Sequence, residues 1–336
     1  MKKGKDNRNE EIIEPDLPII DAHHHLMEMF GVRYLLEDFL EDVNSGHNIR
    51  ASIYCESHSM FRVKGPELFK AVGETEFAKG IGVMSDSGAF GDCRVNAGII
   101  SFANLQAGDA ISEVLDAHLS AGGNRMKGIR QVGIWHPSED PYFFIKTRPK
   151  KGIYSDTKFH QGFSKLEERG LTFDAAVFHH QLDEVCFLAD MFPNTAIILN
   201  HMGFAMAMGK NKEERKVVFA DWKKSLVELS NRLNVKVKVG GLGMPFWGFG
   251  FNEKDHQASY LDLAEIWRPY VETSIEIFGI DRCIMESNFP ADGHSCGYVP
   301  LWNALKFITI SFSKEEKTKL YFDNAVQTYN LDASIR

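Results

Sequence analysis

The sequence has few of the features that mark secreted or membrane-spanning proteins. Among 336 residues there are five scattered cysteines, and no two of them form a CxxC pair. This odd count argues against a disulfide framework or a zinc finger and suits a cytoplasmic protein with reduced thiols. No apolar run approaches the ~18 residues that a membrane-spanning helix needs. The charged first residues also lack the apolar core of a signal peptide.

The chain also has fewer basic than acidic residues. The chain has 38 basic and 46 acidic residues, which give a net charge of −8. Binding to nucleic acid or to an anionic membrane calls for a basic surface, so we expect neither partner. A local basic pocket for a small acidic molecule is still compatible with this balance. We therefore expect a small-molecule substrate, and a homo-oligomer stays open.

What the sequence does contain is a regular alternation of short apolar runs and amphipathic segments. Eight runs have the β-branched, apolar character of parallel strands, and they span 17–24, 50–56, 96–105, 125–132, 171–179, 195–201, 235–242 and 282–289. Segments with helical spacing of apolar residues lie between them. The pattern predicts a (β/α)8 TIM barrel, with an open doubly wound sheet as the alternative. We expect a mobile head at 1–16 and a single barrel domain at 17–336.

Histidines stand where several of these strands should end. In "IIDAHHHL" (19–26), His23 and His25 share one side of the strand, and His24 faces the other. His179 and His201 end the fifth and sixth strands. Barrel active sites lie at these ends, and paired imidazoles can grip a metal ion. The alternative is that these histidines are satisfied by hydrogen bonds in a packed rim.

Four segments carry a family resemblance: "DAHHHL", "FDAAVFHHQL", "LNHMG" and "RCIMESNFPAD". They resemble the amidohydrolase-related family, and within it the branch of sugar-acid lactonases and 2-pyrone-4,6-dicarboxylate lactonase. The resemblance covers roughly residues 17–332. It implies a barrel with its site at the strand ends and a divalent metal, zinc in the first instance, on His23, His25, His179 and His201. The same branch includes lactonases that work without metal, so a metal-free mechanism stays open.

The sequence departs from this family at Asn288. The family's eighth strand usually ends in an aspartate that binds metal or moves a proton, and an amide cannot accept a proton at neutral pH. We expect Asn288 to orient water or substrate by hydrogen bonds. Proton transfer then falls to Glu56 or Asp292, and Glu286 is a further candidate. For each carboxylate the alternative is a salt bridge or a helix cap.

Three further residues are candidates for binding the substrate. Arg130 and Lys238 lie on strands, where a buried charge is costly unless it is paired. The planar fork of Arg130 matches a substrate carboxylate, and the alternative is an internal pair with Glu56 or Asp21. Trp247, in the aromatic segment "MPFWGFGF" (244–251), is expected to cover the opening, or else to form a subunit contact.

Together these features predict a metal-dependent, lactonase-like hydrolase. Its substrate is expected to be a small, carboxylate-bearing lactone or related ester. Water would be activated at the barrel mouth by a divalent metal or by a carboxylate. The alternatives are a metal-dependent decarboxylase of the same family and a relative that binds its ligand without catalysis.

Overall fold

A computed structural model of the chain describes residues 10–29, 31–253, 258–332 and 335. Eight parallel strands form one sheet in chain order, and they match the eight predicted runs. They are β1 (Ile19–His24), β4 (Ile49–Cys55), β5 (Arg94–Phe102), β6 (Met126–Arg130), β7 (Thr172–Ala175), β8 (Ile197–Leu199), β9 (Val235–Val239) and β10 (Cys283–Met285). A short antiparallel hairpin of β2 (Met27–Met29) and β3 (Val32–Tyr34) follows β1.

The first and last strands meet and complete the ring. The backbone N–H of His25 donates to the carbonyl of Phe289 over 2.8 Å, and the N–H of Asn288 donates to the carbonyl of His23 over 2.8 Å. The carboxylate of Asp21 adds to this seam, because it accepts hydrogen bonds from Ser287. The sequence prediction of a single-domain (β/α)8 barrel is therefore confirmed.

Helices lie between the strands and cover them. They are α1 (Leu36–Val43), α2 (Val72–Asp86), α3 (Ile111–Gly122), α4 (Thr157–Phe163), α5 (Leu182–Met191), α6 (Lys212–Ser230), α7 (Tyr260–Phe278), α8 (Tyr298–Ile308), α9 (Lys314–Thr318) and α10 (Asn324–Thr328). Ser313 caps α9 by accepting from the N–H of Glu316. None of the helices in the described ranges is both long and apolar enough to cross a membrane.

The barrel interior is divided into an apolar end and a polar end. Ile20, Ile53, Ile100, Ile198 and Ile284 form a buried cluster with aromatic residues of the C-terminal segment. Polar and charged side chains take over toward the carboxyl ends of the strands. This division places the chemically active groups at the mouth, where barrel enzymes have their sites.

The predicted head is only partly described, because residues 1–9 lie outside the described residues. The part that follows binds to the C-terminal helices. Ile13 donates its N–H to the side chain of Asn303 over 2.9 Å, and Lys306 donates to the carbonyl of Glu14 over 2.9 Å. Glu14 also pairs with Lys317. Residues 10–16 are therefore attached to the barrel, which does not fit the expectation of a mobile segment.

Candidate active site

Three buried histidines and one carboxyl group form the centre of the site. Nε2 of His23 lies 3.3 Å from Nε2 of His25, and the rings of His23 and His201 are 4.5 Å apart between centroids. Glu286 lies beneath them, with Oε1 2.6 Å from Nδ1 of His201 and Oε2 3.2 Å from Nδ1 of His23. His24, in contrast, stacks on Phe39 outside this cluster, as strand alternation predicts.

Neighbouring groups determine which nitrogens of these rings carry protons. Arg130 donates from Nη1 to Nε2 of His23 over 3.0 Å, and a guanidinium can only donate. Nε2 of His23 is therefore an acceptor, and its proton lies on Nδ1, toward Glu286. His25 places Nδ1 2.9 Å from the carbonyl of Cys55, which can only accept. We therefore assign unprotonated Nε2 atoms to both His23 and His25.

These imidazoles are neutral at physiological pH. Burial lowers the pKa of His25 to about 3, with a further contribution from Arg130. Burial and nearby cations hold the pKa values of His23 and His201 well below the usual value. Burial raises the pKa of Glu286 to about 8, although Lys238 opposes this. Neutral imidazole is the form that binds metal ions.

The donor set fits a divalent metal ion. Metal-binding histidines usually donate their other ring N–H to a carboxylate or a carbonyl, as His23 and His25 do here. Two nitrogens bound to one tetrahedral zinc ion are ~3.4 Å apart, close to the 3.3 Å between the Nε2 atoms of His23 and His25. Ligand atoms of His23, His201 and Glu286 lie within 4.8 Å of one another, a second possible set in which Glu286 takes the place of His25. An ion on His23 would displace its hydrogen bond from Arg130.

A second group of side chains that could bind a metal ion surrounds the ammonium group of Lys238 instead. Ligand atoms of His23, Cys55 and Asp174 lie within 4.8 Å of one another. Nζ of Lys238 lies among them and donates to Asp174 over 2.7 Å and to Sγ of Cys55 over 3.7 Å. It also lies 3.4 Å from Nδ1 of His23, but that nitrogen carries the proton that points toward Glu286 and does not accept from the ammonium group. Lys238 is fully buried and belongs to the barrel interior. The expectation that it binds substrate does not fit this position.

Arg130 forms the internal pair that was the alternative to substrate binding. Its Nε donates to Oε1 of Glu56 over 2.7 Å, and its Nη2 donates to the Glu56 carbonyl over 2.6 Å. Burial raises the pKa of Glu56, but Arg130 and His58 outweigh burial and hold it well below the usual value. Such a carboxylate is a weak base at neutral pH. Nε2 of His58 lies 3.1 Å from the other Glu56 oxygen.

Asn288 and Asp292 bind each other. Nδ2 of Asn288 donates to Oδ1 of Asp292 over 2.8 Å, and Gly243 donates its N–H to Oδ2 over 2.7 Å. Burial raises the pKa of Asp292 well above its usual value. Both carboxylate oxygens are thus used to hold two loops together. Asn288 has a φ of 55°, a strained conformation of the kind that concentrates at functional sites.

His179 lies away from the histidine cluster. Strand β7 ends at Ala175, four residues before His179, so the chain has left the strand direction by then. Its Nδ1 accepts the N–H of Met206 over 3.1 Å. The side chain lines a separate cavity between α5 and α6, together with Cys186 and Asp221. This position does not fit the expected role as a metal ligand.

Trp247 is a core residue. It is fully buried, and its indole N–H donates to the carbonyl of Gly241 over 2.8 Å. Its ring packs edge-on against Trp222 and Tyr270. Neither the lid nor the subunit contact expected from the sequence fits this environment, because the ring has no exposed surface.

A cavity of about 280 Å³ opens at the barrel mouth beside Arg130 and His25. Its polar lining consists of His25, Glu56, Ser57, His58, Arg130, Lys146, Thr147 and His294. His58, Lys146 and His294 were not predicted, because each lies in an irregular loop with no periodic signal. A signal for Asp174 was present, since an acidic residue inside the apolar strand β7 needs a buried partner.

The segment "GHSCG" (293–297) matches the GxSxG pattern of a serine nucleophile. In that motif the serine stands on a sharp strand-to-helix turn. Here Ser295 is buried ten residues beyond β10, and its hydroxyl donates to the carbonyl of Gly243 over 2.5 Å. This hydrogen bond joins two loops, so the match to the GxSxG pattern does not indicate a nucleophile.

The assignment of Lys238 to the interior predicts a loss of stability on substitution. Lys238→Met leaves Asp174 as a buried, unpaired charge and should lower the free energy of unfolding by ~3–5 kcal/mol, measured by urea denaturation. Adding Asp174→Asn should recover most of the loss. Lys236→Met is the matched control, because Lys236 is only partly buried and binds Thr328. Unchanged stability with weakened substrate binding would return Lys238 to the substrate site.

Comparison with known proteins agrees with this architecture. A sequence profile of the family described as amidohydrolase matches residues 20–331. The uncharacterized protein y4mH of Sinorhizobium fredii is 31% identical over 339 residues, which cover 94% of this chain and 99% of that protein. The L-rhamnono-gamma-lactonase of Scheffersomyces stipitis is 24% identical over 204 residues, 56% of this chain and 58% of the lactonase.

Solved structures show the same fold at lower identity. An amidohydrolase from Burkholderia multivorans with bound zinc has a TM-score of 0.68 at 19% identity, covering 94% of this chain and 99% of its own. A putative 2-pyrone-4,6-dicarboxylic acid hydrolase from Pseudomonas putida has a TM-score of 0.60 at 13% identity, with coverages of 94% and 98%. A 5-carboxyvanillate decarboxylase from Novosphingobium aromaticivorans in complex with manganese also reaches 0.60, at 13% identity and coverages of 95% and 97%. With a family match over nearly its whole length, this chain belongs to the amidohydrolase family.

Proposed function

We propose that this protein hydrolyses a small lactone or related ester that bears a carboxylate. The observation that carries the proposal is the position of Arg130 in the wall of the 280 Å³ cavity, next to His25. Three of the five guanidinium N–H groups bind Glu56 and His23, which leaves two for a ligand. Relatives named as a lactonase and a pyrone dicarboxylic acid hydrolase support this class of reaction.

The proposal assigns a divalent metal ion, zinc in the first instance, to His23, His25 and His201. A bound ion of this kind lowers the pKa of a water ligand to ~7 and so supplies hydroxide at neutral pH. Glu286 and the carbonyl of Cys55 orient the imidazoles through their Nδ1 atoms. The zinc in one related structure and the manganese in another support the assignment.

Proton transfer is assigned to His58, with Glu56 as its positioning residue. Asn288 cannot accept a proton, and Asp292 is fully buried and does not line the cavity. His58 lines the cavity, and its Nε2 faces Glu56 at 3.1 Å. Among the described residues no group hydrogen-bonds to Nδ1, so this nitrogen is available to a water molecule or to the substrate. A carboxylate beside an imidazole is a recurring catalytic arrangement, and the proposal assigns Glu56 this place.

The alternative is decarboxylation. It rests on the same carboxylate-binding arginine and on the fold shared with the 5-carboxyvanillate decarboxylase. Both reactions need a substrate carboxylate at Arg130, but only decarboxylation releases that group. The products therefore distinguish them, because one reaction yields a ring-opened acid and the other yields carbon dioxide.

A panel of carboxylate-bearing lactones and their neutral methyl esters tests the function. The wild type should prefer the carboxylates and release the ring-opened acid, followed by chromatography. Arg130→Lys should lower kcat/KM for the carboxylates by about 10- to 100-fold, because an ammonium group cannot form the paired, charge-assisted hydrogen bonds of a guanidinium. Equal turnover of acids and esters in both proteins would contradict the proposal, and release of carbon dioxide would select the alternative.

Metal content provides a test that does not depend on activity. Protein purified without chelators should carry about one equivalent of a divalent ion by elemental analysis, and His25→Ala should lose it. His179→Ala is the matched control and should retain the ion, because His179 lies in another cavity. Loss of the ion in both variants would return His179 to the ligand set. Full activity of metal-free wild type would remove the metal from the mechanism.

The role of His58 predicts a specific pH profile. Burial lowers the pKa of His58, but Glu56 outweighs burial and raises it above the usual value. Because the base must be neutral, kcat/KM should rise with pH through this raised pKa. Glu56→Gln should move the rise to lower pH, and His58→Gln should lower kcat by ~10²–10⁴-fold and abolish the rise.

His180→Gln is the control for His58→Gln, since its side chain is exposed and lies in the cavity between α5 and α6. It should leave the pH profile unchanged. A wild-type profile in His58→Gln would show that another group moves the proton.

A further inference from the structure

The cavity beside Arg130 is polar at its floor and apolar in most of its wall. The floor carries His25, Glu56, His58 and Arg130 from the ends of β1, β4 and β6. The apolar wall is built from separate segments of the chain, and its residues are Met27, Met29, Val32, Val132, Phe143, Phe144, Ile145, Met244 and Ala291. A ligand whose carboxylate reaches Arg130 must therefore place the rest of its surface against apolar side chains.

The hairpin of β2 and β3 presents an apolar face to this cavity. Met29 pairs with Val32 across the two strands, and both side chains line the cavity together with Met27. Glu28 and Arg33 alternate with them, are exposed, and are absent from the lining. Since successive side chains of a strand face opposite sides, the hairpin directs its apolar residues inward and its charges outward.

The opposite side of the cavity combines the apolar side chains of residues 143–145 with Lys146, Thr147 and His294. His294 packs edge-on against Phe144, with ring centroids 5.4 Å apart. Lys146 donates from its ammonium group to the carbonyl of His58. The hydroxyl of Thr147 is buried and has no hydrogen-bond partner among the described residues. These polar groups are outnumbered by the apolar side chains of the wall, so a ligand with hydroxyl groups all around its ring would place some of them against apolar surface.

We propose that the substrate of this site is a carboxylic acid with a hydroxyl-poor body about the size of one ring, rather than a polyhydroxylated sugar-acid lactone. This inference rests on the proposed function and narrows its substrate class. Each hydroxyl group buried without a partner weakens binding by roughly 5- to 100-fold. A sugar-acid lactone has several such groups, while a flat aromatic or alkyl-substituted ring would pack well against Met and Phe side chains.

Two measurements with matched ligands test the inference. The first is binding, by calorimetry, of benzoate and of a six-carbon sugar acid. The second is turnover of an aryl-substituted lactone carboxylate and of a sugar-acid lactone. We expect benzoate to bind at least ten-fold more tightly than the sugar acid, and the aryl-substituted lactone to be the better substrate.

Variants of the wall connect this preference to the named residues. Met29→Gln and Phe144→Asn should each reduce benzoate affinity, by about four-fold for each methylene-sized apolar group that no longer packs against the ring. Met191→Gln is the matched control, because Met191 lies on α5, is 43% exposed and does not line the cavity. Melting temperatures of all variants should be recorded, so that loss of fold is separated from loss of binding.

The outcomes separate this inference from the proposed function. Faster turnover of the sugar-acid lactone, with tighter binding of the sugar acid, would overturn the inference and leave the hydrolase proposal standing. Tighter binding of benzoate without turnover of any lactone would support the inference and remove the hydrolase proposal. Equal affinities for both acids, or variants that bind as the wild type does, would also overturn the inference.

Discussion

The guanidinium of Arg130 determines the state of the groups around it. It keeps its charge at every physiological pH, so its contacts fix which neighbours accept and which are ionised. Toward His23 it holds Nε2 unprotonated, and toward Glu56 it stabilises the carboxylate. Through Glu56 it also sets the environment of His58. One permanent charge thus keeps Nε2 of His23 free of a proton and holds Glu56 ionised beside His58.

Other polar side chains in the barrel interior also depend on specific partners. Lys238 and Asp174 pair within the barrel, and Glu286 contacts two histidines. A buried charge is costly unless it is paired, so Lys238 and Asp174 require each other, whereas Glu286 and the neutral imidazoles satisfy one another by hydrogen bonding. The arrangement therefore has little freedom to adapt to a different ligand. Variation of substrate is more readily accommodated in the loops above it, such as the hairpin of β2 and β3.

The fold was predictable because it depends on local patterns. Eight apolar runs and the spacing of His23 and His25 are visible in the sequence, and strand alternation correctly separated His24 from its neighbours. The partners of the buried polar side chains were harder to predict from the sequence. The pairing of Arg130 with Glu56 joins residues 74 positions apart, which no local pattern shows. His179 was misplaced because the sequence does not show that β7 ends at Ala175.

The family match spans residues 20–331 and so includes both the strand ends and the loops of the cavity. The four segments that carry the resemblance lie at strand ends, where the histidine cluster is formed. His58, Phe144 and Thr147 belong to loops, and loops differ most between relatives. A lactonase that shares 24% identity over part of its length therefore supports the reaction class more strongly than it supports the substrate. The apolar wall of the cavity therefore indicates the class of substrate, which the comparisons with relatives do not.

The seam between β1 and β10 has a consequence for how the site comes into existence. His23 and His25 are contributed by the first strand of the barrel, while Glu286 and Asn288 follow the last strand. These residues are joined by hydrogen bonds across more than 260 positions of the chain. Such long-range pairing forms late, because loop closure costs entropy before any contact compensates for it. During synthesis the barrel can therefore acquire most of its helices while still lacking an active centre, and the last strand to emerge completes the fold and the chemistry together.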